Sequence, residues 1–476
     1  MVQNNIALKS LQPIMILRFI STVTFGVFYS SLSLLMIQTF NLTNEMAASL
    51  AALFFGFHYA LPLLGGKLSD NIKNFKQIFL TGKVFQLISS FVLIFAINHQ
   101  EYLYLGLSFF LVDSMVNTVS LNMFITNHFE QNNADERRAA FLRGHVWSNL
   151  GFIVALFLSG AIYHFANIEF LFYITAIFSS LTIIYCYFFI DQDSGYSSEN
   201  LANSSLKLLL IMMTIALVTT ISLTNYYFTR EVIIISAALS VFLILIKSIS
   251  TVSKSEVNGI LRFMVFMLCS VLFWTIDMLC PIFIPIFINN DVNTVIFGFN
   301  LPPQWIQIIS PLITVTAGAW LSKVLSDILN NRGTSFSRTH FFISGLVCTS
   351  CALLLLGLGV NQHSLGLQLS YWWIVGYIII MAISELLIAP ISMALVGECI
   401  PKKHHGIYTG INQMTIGVSV IFSGFLAEYF LMPSSYNLAN STISNYSSIF
   451  VLLAMSMLVA GGFLFMFDRK LYQKVI

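Results

Sequence analysis

Residues 51–76, AALFFGFHYALPLLGGKLSDNIKNFK, pass from an apolar stretch into paired glycines, a carboxylate and three lysines. With the residues before it, the apolar part makes a span near 45–66, since about 20 such residues cross the hydrocarbon. The basic part belongs on the cytoplasmic face, where Lys and Arg collect. Gly66 allows a neighbouring helix to approach closely, and Asp70 can accept from a helix N-terminus or pair with a cation such as Lys73. Read alone, the segment is equally an ordinary basic loop between two membrane helices.

The rest of the chain extends the pattern. Of 476 residues, 57% are hydrophobic and 9% charged, with 44 Phe. A soluble protein carries about 25% charged residues, so the solvent here is lipid. A net charge of +2 gives no reason to expect a nucleic-acid partner. Further spans are read near 13–38, 77–98, 102–126, 140–164 and 168–190, then 206–227 and 231–250. The last six are near 259–288, 304–328, 338–359, 370–397, 407–431 and 448–467, making fourteen arranged as six, two and six.

With the N-terminus inside, one face receives Lys67, Lys73, Lys76, Arg137, Arg138, Lys254, Arg332, Arg338, Lys402, Lys403, Arg469, Lys470 and Lys474. The other receives Arg230 and little else, so both termini are expected in the cytoplasm. No cleavable signal peptide is evident, because the first apolar segment is too long for one. Cys348 and Cys351 have C-x-x-C spacing but lie in a spanning stretch, where buried thiols are a better reading than a redox or zinc site.

Three spans carry carboxylates: Asp113 in YLGLSFFLVDSMVNTVSLNMF, Asp277 in FMVFMLCSVLFWTIDMLCPIFIPIF and Glu385 in YWWIVGYIIIMAISELLIAPISMAL. A charge at mid-bilayer costs roughly 2.5–3.5 kcal/mol even on permissive scales, so such residues line a cavity, pair with a partner or carry protons. Asp113 has no cation in its own stretch. The sequence has no H-E-x-x-H, G-x-S-x-G or Walker motif and no acidic metal cluster, so neither an enzyme nor a cofactor is expected.

The loop Gly65–Lys76 resembles the signature between the second and third helices of the major facilitator superfamily. Four stretches narrow the likeness to its proton-coupled oligopeptide transporter branch. AALFFGFHYALPLLGGKLSD resembles that branch's second helix, including Tyr59. ADERRAAFLRGHVWSNLGF resembles the fifth, placing Asn149 before Gly151. FGFNLPPQWIQIISPLITV is similar to the entry of the eighth, with Gln307 and Pro311. SELLIAPISMALVGECIPKKHHGIYTG is similar to the tenth, with Glu385 ahead of Pro390.

The resemblance implies an all-α polytopic membrane protein of the major facilitator fold, with two six-helix bundles and a substrate cavity between them. On that plan, 1–190 form the N-terminal bundle, 191–205 a cytoplasmic linker, 206–250 a two-helix insert and 259–476 the C-terminal bundle. Bending is expected at Gly298, Pro302, Pro303 and Pro390.

Departures fall on the binding site. The family's E-x-x-E-R-F reads here IMILRFIST, with Ile14 and Leu17 at the glutamate positions and Ser21 and Thr22 replacing paired tyrosines. Phe25 stands at a second basic position, Asn117 or Thr118 at a lysine and Ser310 at an asparagine. The residues left for substrate are Arg18, His58, Tyr59, Asn149, Trp274, Ser310 and Glu385. Those left for proton coupling are Asp113, Asp277 and Glu385, with His58 and His145 as further titratable groups.

Bland readings stand beside these. Arg18 is either a snorkelling interfacial residue, a cavity cation or a permanent partner of Asp113; His58 is either packing or function. The expected function is secondary transport of a small polar solute, peptide-like by resemblance, coupled to H+ in a plasma (bacterial inner) membrane by a monomer. Two rivals remain: proton-antiport export of a siderophore-like metabolite, and a non-transporting sensor or scaffold.

Overall fold

A computed structural model describes residues 11–72, 74–128, 134–190, 201–251, 254–318, 338–363, 369–401, 404–431 and 442–472. The helices are α1 Gln12–Gln38, α2 Asn44–Ala60, α3 Pro62–Ile72, α4 Phe75–Ala96, α5 Leu103–His128, α6 Ala134–Phe165 and α7 Phe170–Phe189. The two helices expected as an insert are α8 Leu201–Thr224 and α9 Tyr226–Thr251. Then come α10 Lys254–Asp277, the short α11 Leu279–Ile282, α12 Ile284–Asp291 and α13 Pro303–Ile306. The last four are α14 Arg338–His363, α15 Tyr371–Cys399, α16 His405–Leu431 and α17 Thr442–Tyr472.

Thirteen helices among the described residues are long and apolar enough to cross a membrane, α2 and α3 together forming one of them. The fourteenth expected span, 304–328, is helical at 309–318 and then leaves the described residues. The polytopic all-α class is therefore as expected.

Local chemistry sets several boundaries. Pro13 occupies the first turn of α1, where a missing N–H costs nothing. Asn74 caps α4 by accepting from the Gln77 amide at 3.0 Å. Within the spans, buried hydroxyls turn back on their own helices: Ser69 to the Gly65 carbonyl at 2.9 Å, Thr175 to Leu171 at 2.8 Å. That satisfies the hydroxyl without water, as a lipid solvent requires. Phe91, Phe188 and Leu239 are exposed along helix faces, which is the surface that lipid covers.

Contacts divide the chain into two compact units, residues 1–42 with 53–229 and residues 43–52 with 230–476. The dividing lines fall inside α2 and between α8 and most of α9. In unit 1, α4 packs on α5 and α7, and α1 packs on α6 and α7. In unit 2, α14 packs on α15 and α17, and α10 on α16 and α17. The same pairing order thus recurs, third span on fourth and sixth, first on fifth and sixth. This is an internal structural repeat of one bundle in the other.

Close packing of α3 on α5 depends on Gly65 rather than Gly66. A Cβ at Gly65 would lie 1.9 Å from the Met115 carbonyl oxygen, whereas one at Gly66 would meet nothing within 4 Å. The expectation for Gly66 is corrected: it is the neighbouring glycine that admits the helix. Gly298 is also not a helix hinge. With Phe297 (φ 51°) and its own φ of 80°, it forms the tip of a hairpin between strands β2 Val295–Ile296 and β3 Phe299–Asn300. Positive φ at both central residues is what such a tight turn demands. β1 Val292–Asn293 pairs in parallel with β4 Leu369–Ser370, tying two loops of unit 2 together.

Candidate functional site

Asp113 is buried within unit 1, and its partner is one the sequence reading did not consider. Lys83 on α4 donates to Asp113 Oδ2 at 2.8 Å, both side chains being at most 2% exposed. Lys83 also donates to Gln86 Oε1 at 3.0 Å, and the Gln86 amide donates to Thr24 Oγ1 on α1 at 3.1 Å. The pair is closed in by Gly82, where a Cβ would come 3.2 Å from Asp113 Oδ1 and 2.5 Å from Val116. Oδ1 itself is buried with no hydrogen-bond partner among the described residues. A lysine inside the third span was as visible in the sequence as Asp113, in the segment GKVFQ, and bears a similar membrane penalty.

The suggested Arg18–Asp113 pair is accordingly overturned. Arg18 donates from Nε to Ser148 Oγ on α6 at 2.9 Å and from Nη1 to Asn122 Oδ1 on α5 at 3.0 Å. Among the described residues it forms no ion pair. Gly144 lies against it: a Cβ there would be 3.1 Å from Nη1. Ser21 donates to Asn117 Oδ1 at 2.8 Å, joining two of the substituted positions.

His58 is half-buried and stacked on Phe25, with ring centroids 3.8 Å apart and planes 4° apart. Its Nδ1 shares a proton with Ser114 Oγ at 2.8 Å, and Tyr59 meets its ring edge-on. Packing and polar roles are therefore combined in one residue. Asn149 donates back to the His145 carbonyl at 2.9 Å, inside its own helix.

Unit 2 carries two carboxyl groups inside its spans. Asp277 ends α10, and Pro281, four residues on, has no N–H for the Asp277 carbonyl, so the span breaks there into α11 and α12. Glu385 lies in α15 five residues before the internal Pro390. The two carboxyl groups lie within electrostatic reach of each other, and the Ser310 side chain lies near Glu385. Neither carboxyl belongs to an ion pair among the described residues. Gln307, one turn before Ser310, donates to the Cys280 carbonyl at 3.2 Å and so holds the broken span beside the pair. Trp274 is buried one turn before Asp277, edge-on to Phe273.

Lys73 and the side chain of Asp70 lie outside the described residues. Cys348 and Cys351 are in a spanning helix as expected, but Cys351 is exposed on its surface instead of buried.

The Major Facilitator Superfamily model matches residues 14–275, more than half of the chain. Dipeptide and tripeptide permease A of Proteus mirabilis (strain HI4320) is 23% identical over 422 residues, covering 87% of this chain and 85% of the relative. Dipeptide and tripeptide permease B of Aliivibrio fischeri (strain MJ11) is 22% identical over 400 residues, covering 82% and 80%. Among solved structures, a proton dependent oligopeptide transporter aligns with a TM-score of 0.83 at 16% identity, covering 99% of this chain and all of that one. A peptide transporter in complex with sulfate aligns at 0.82 with 14% identity, covering 97% and 95%. A transporter of the same family in complex with 5-aminolevulinic acid also aligns at 0.82, with 16% identity and 97% and 96% coverage. Helix order, the repeated packing and the matched sequence agree: the chain is an integral multi-pass membrane protein belonging to the Major Facilitator Superfamily, and it is similar to that superfamily's peptide transporters.

Proposed function

We propose that this protein moves dipeptide- and tripeptide-class solutes across the plasma membrane together with protons, by alternating access, with both termini in the cytoplasm. The observation that carries the reading is the Asp277–Glu385 pair. Two neighbouring carboxylates inside spanning helices, with no described cation beside them, cannot both keep a negative charge. A proton or the ammonium group of a solute must neutralise the site. A proton-coupled transporter of amine-bearing solutes brings both.

Unit 1, taken by itself, offers a cation. Arg18, held by Ser148 and Asn122 but without a described acid, is a cation available to a carboxylate end. Fold neighbours that hold sulfate and 5-aminolevulinic acid agree with a site taking small anionic and amino-acid-like molecules. Asp113 leaves the coupling set in this reading, because Lys83 already neutralises it.

The test is uptake of a labelled dipeptide into proteoliposomes, with and without an imposed inward proton gradient. Uptake should follow the gradient and be competed by tripeptides but weakly by N-acetylated dipeptides, which lack the ammonium. Uptake indifferent to the gradient, or equal competition by the acetylated series, would overturn the proposal. Transport only of larger polar metabolites would favour a repurposed exporter, and silence across all solutes a sensor or scaffold.

A further inference from the structure

The sequence places Arg230 on the face opposite the basic loops, and the structure puts it in a buried cluster of unit 2. From the first turns of α9 its Nη1 donates to Glu428 Oε2 on α16 and, at 3.2 Å, to Ser49 Oγ on α2. Ser49 donates to the same Glu428 oxygen at 3.2 Å. The guanidinium also sits over the Phe425 ring, 4.1 Å from its centroid. Both charged side chains are nearly nine-tenths buried, at 13% and 11% exposure. Beyond this end most residues of α9 are exposed.

One turn from Glu428, α2 and α16 are in tight contact. A Cβ at Gly424 would stand 2.4 Å from the Ala52 Cβ, so any larger residue there requires the two helices to part. Residues 43–52 of α2 group with unit 2, whereas the same helix from Leu53 onward groups with unit 1. The start of α2 is thus held against α16 by one close-packed point and one ionic cluster, and the cation of that cluster comes from the insert.

We infer that the second insert helix works as a latch: Arg230 clasps Glu428 and Ser49, holds the Thr43–Ala52 end of α2 on α16, and releases it once per transport cycle. The inference rests on alternating access, in which packed elements must part and rejoin. The chemistry suits a two-state device. A buried ion pair with a shared hydroxyl is directional and brittle, and loss of either partner leaves the other charge uncompensated. A purely structural anchor for an insert would need no contact with α2 at all.

The test is a disulfide between Ala52→Cys and Gly424→Cys, whose Cβ atoms, nearer in the native contact than the ~3.5–4.5 Å of a disulfide, reach that spacing when the helices part by about 1 Å. The rate of bond formation is read without any substrate, so that arm stands or fails apart from the transport assay. In otherwise native protein the bond should form readily, and oxidised protein should stop transporting until a reductant restores it. Adding Glu428→Gln or Arg230→Met should lower the rate of bond formation severalfold, and the exchanged pair Arg230→Glu with Glu428→Arg should recover it. Transport that continues with the disulfide intact would overturn the latch. So would unchanged bond formation in folded Glu428→Gln protein, which would leave the cluster a static anchor.

Discussion

Lys83 on α4 donates to Asp113 on α5 across 2.8 Å with neither side chain reaching the surface. This contact neutralises Asp113 within unit 1, while Asp277 and Glu385 in unit 2 have no equivalent partner among the described residues. On the proposed function the asymmetry divides the work: Asp113 holds helices together, and the uncompensated carboxylates receive the proton and the amine.

Removing one member of the Lys83 pair leaves a buried charge alone. Lys83→Met or Asp113→Leu is expected to cost about 3–5 kcal/mol, whereas the double variant should lie near the wild type or above it. Thermal unfolding in detergent of all four proteins checks the cycle. Additive losses would mean the two groups do not depend on each other.

Glu385→Gln keeps the shape of the side chain and removes its charge. If Glu385 meets the solute ammonium, a charge-assisted hydrogen bond worth about 1.5–3 kcal/mol is lost, which is roughly a 10- to 100-fold rise in KM. Uptake kinetics with a dipeptide and its N-acetylated form measure this. The acetylated solute should be affected far less.

Arg18→Lys preserves the charge but not the fork that engages Ser148 and Asn122 together. One bond of the two survives at best, so dipeptide uptake should weaken by about tenfold, the worth of roughly one hydrogen bond. An esterified dipeptide, lacking the carboxylate, should not distinguish the two proteins. Equal loss for both solutes would assign Arg18 to packing.

The paired glycines of the second span should behave differently from one another. Gly65→Ala forces a methyl into the Met115 carbonyl and is expected to destabilise by about 1–3 kcal/mol. Gly66→Ala meets open space and should be neutral, or stabilising by up to about 1 kcal/mol through helix propensity. Melting temperatures of the two single variants decide it.

Much of this architecture was legible because lipid leaves few options. Unbroken apolar runs and one-sided basic loops gave the spans, and Gly65–Lys76 with the tenth-span segment gave the family. Carboxylates in those runs marked Asp113, Asp277 and Glu385 as residues needing an explanation. Their partners were harder, since a helix apolar on every side carries no phase from which to read its orientation. Lys83 is the instructive case: searching Asp113's own span for a cation missed one on the adjacent helix, 30 positions earlier. Ser49 and Glu428, 379 positions apart, are beyond any local pattern. Gly66 and Gly65 differ only in the direction each Cα faces, which a one-residue step around a helix decides.

The most direct measurement is solute-dependent proton flux into proteoliposomes, read with a pH-sensitive dye, for two double variants beside the wild type. Lys83→Met with Asp113→Leu should retain dipeptide-driven flux, and Asp277→Asn with Glu385→Gln should abolish it while remaining folded. Flux lost in the first and kept in the second would contradict the account, returning proton coupling to Asp113 and leaving the unit 2 carboxylates without that role.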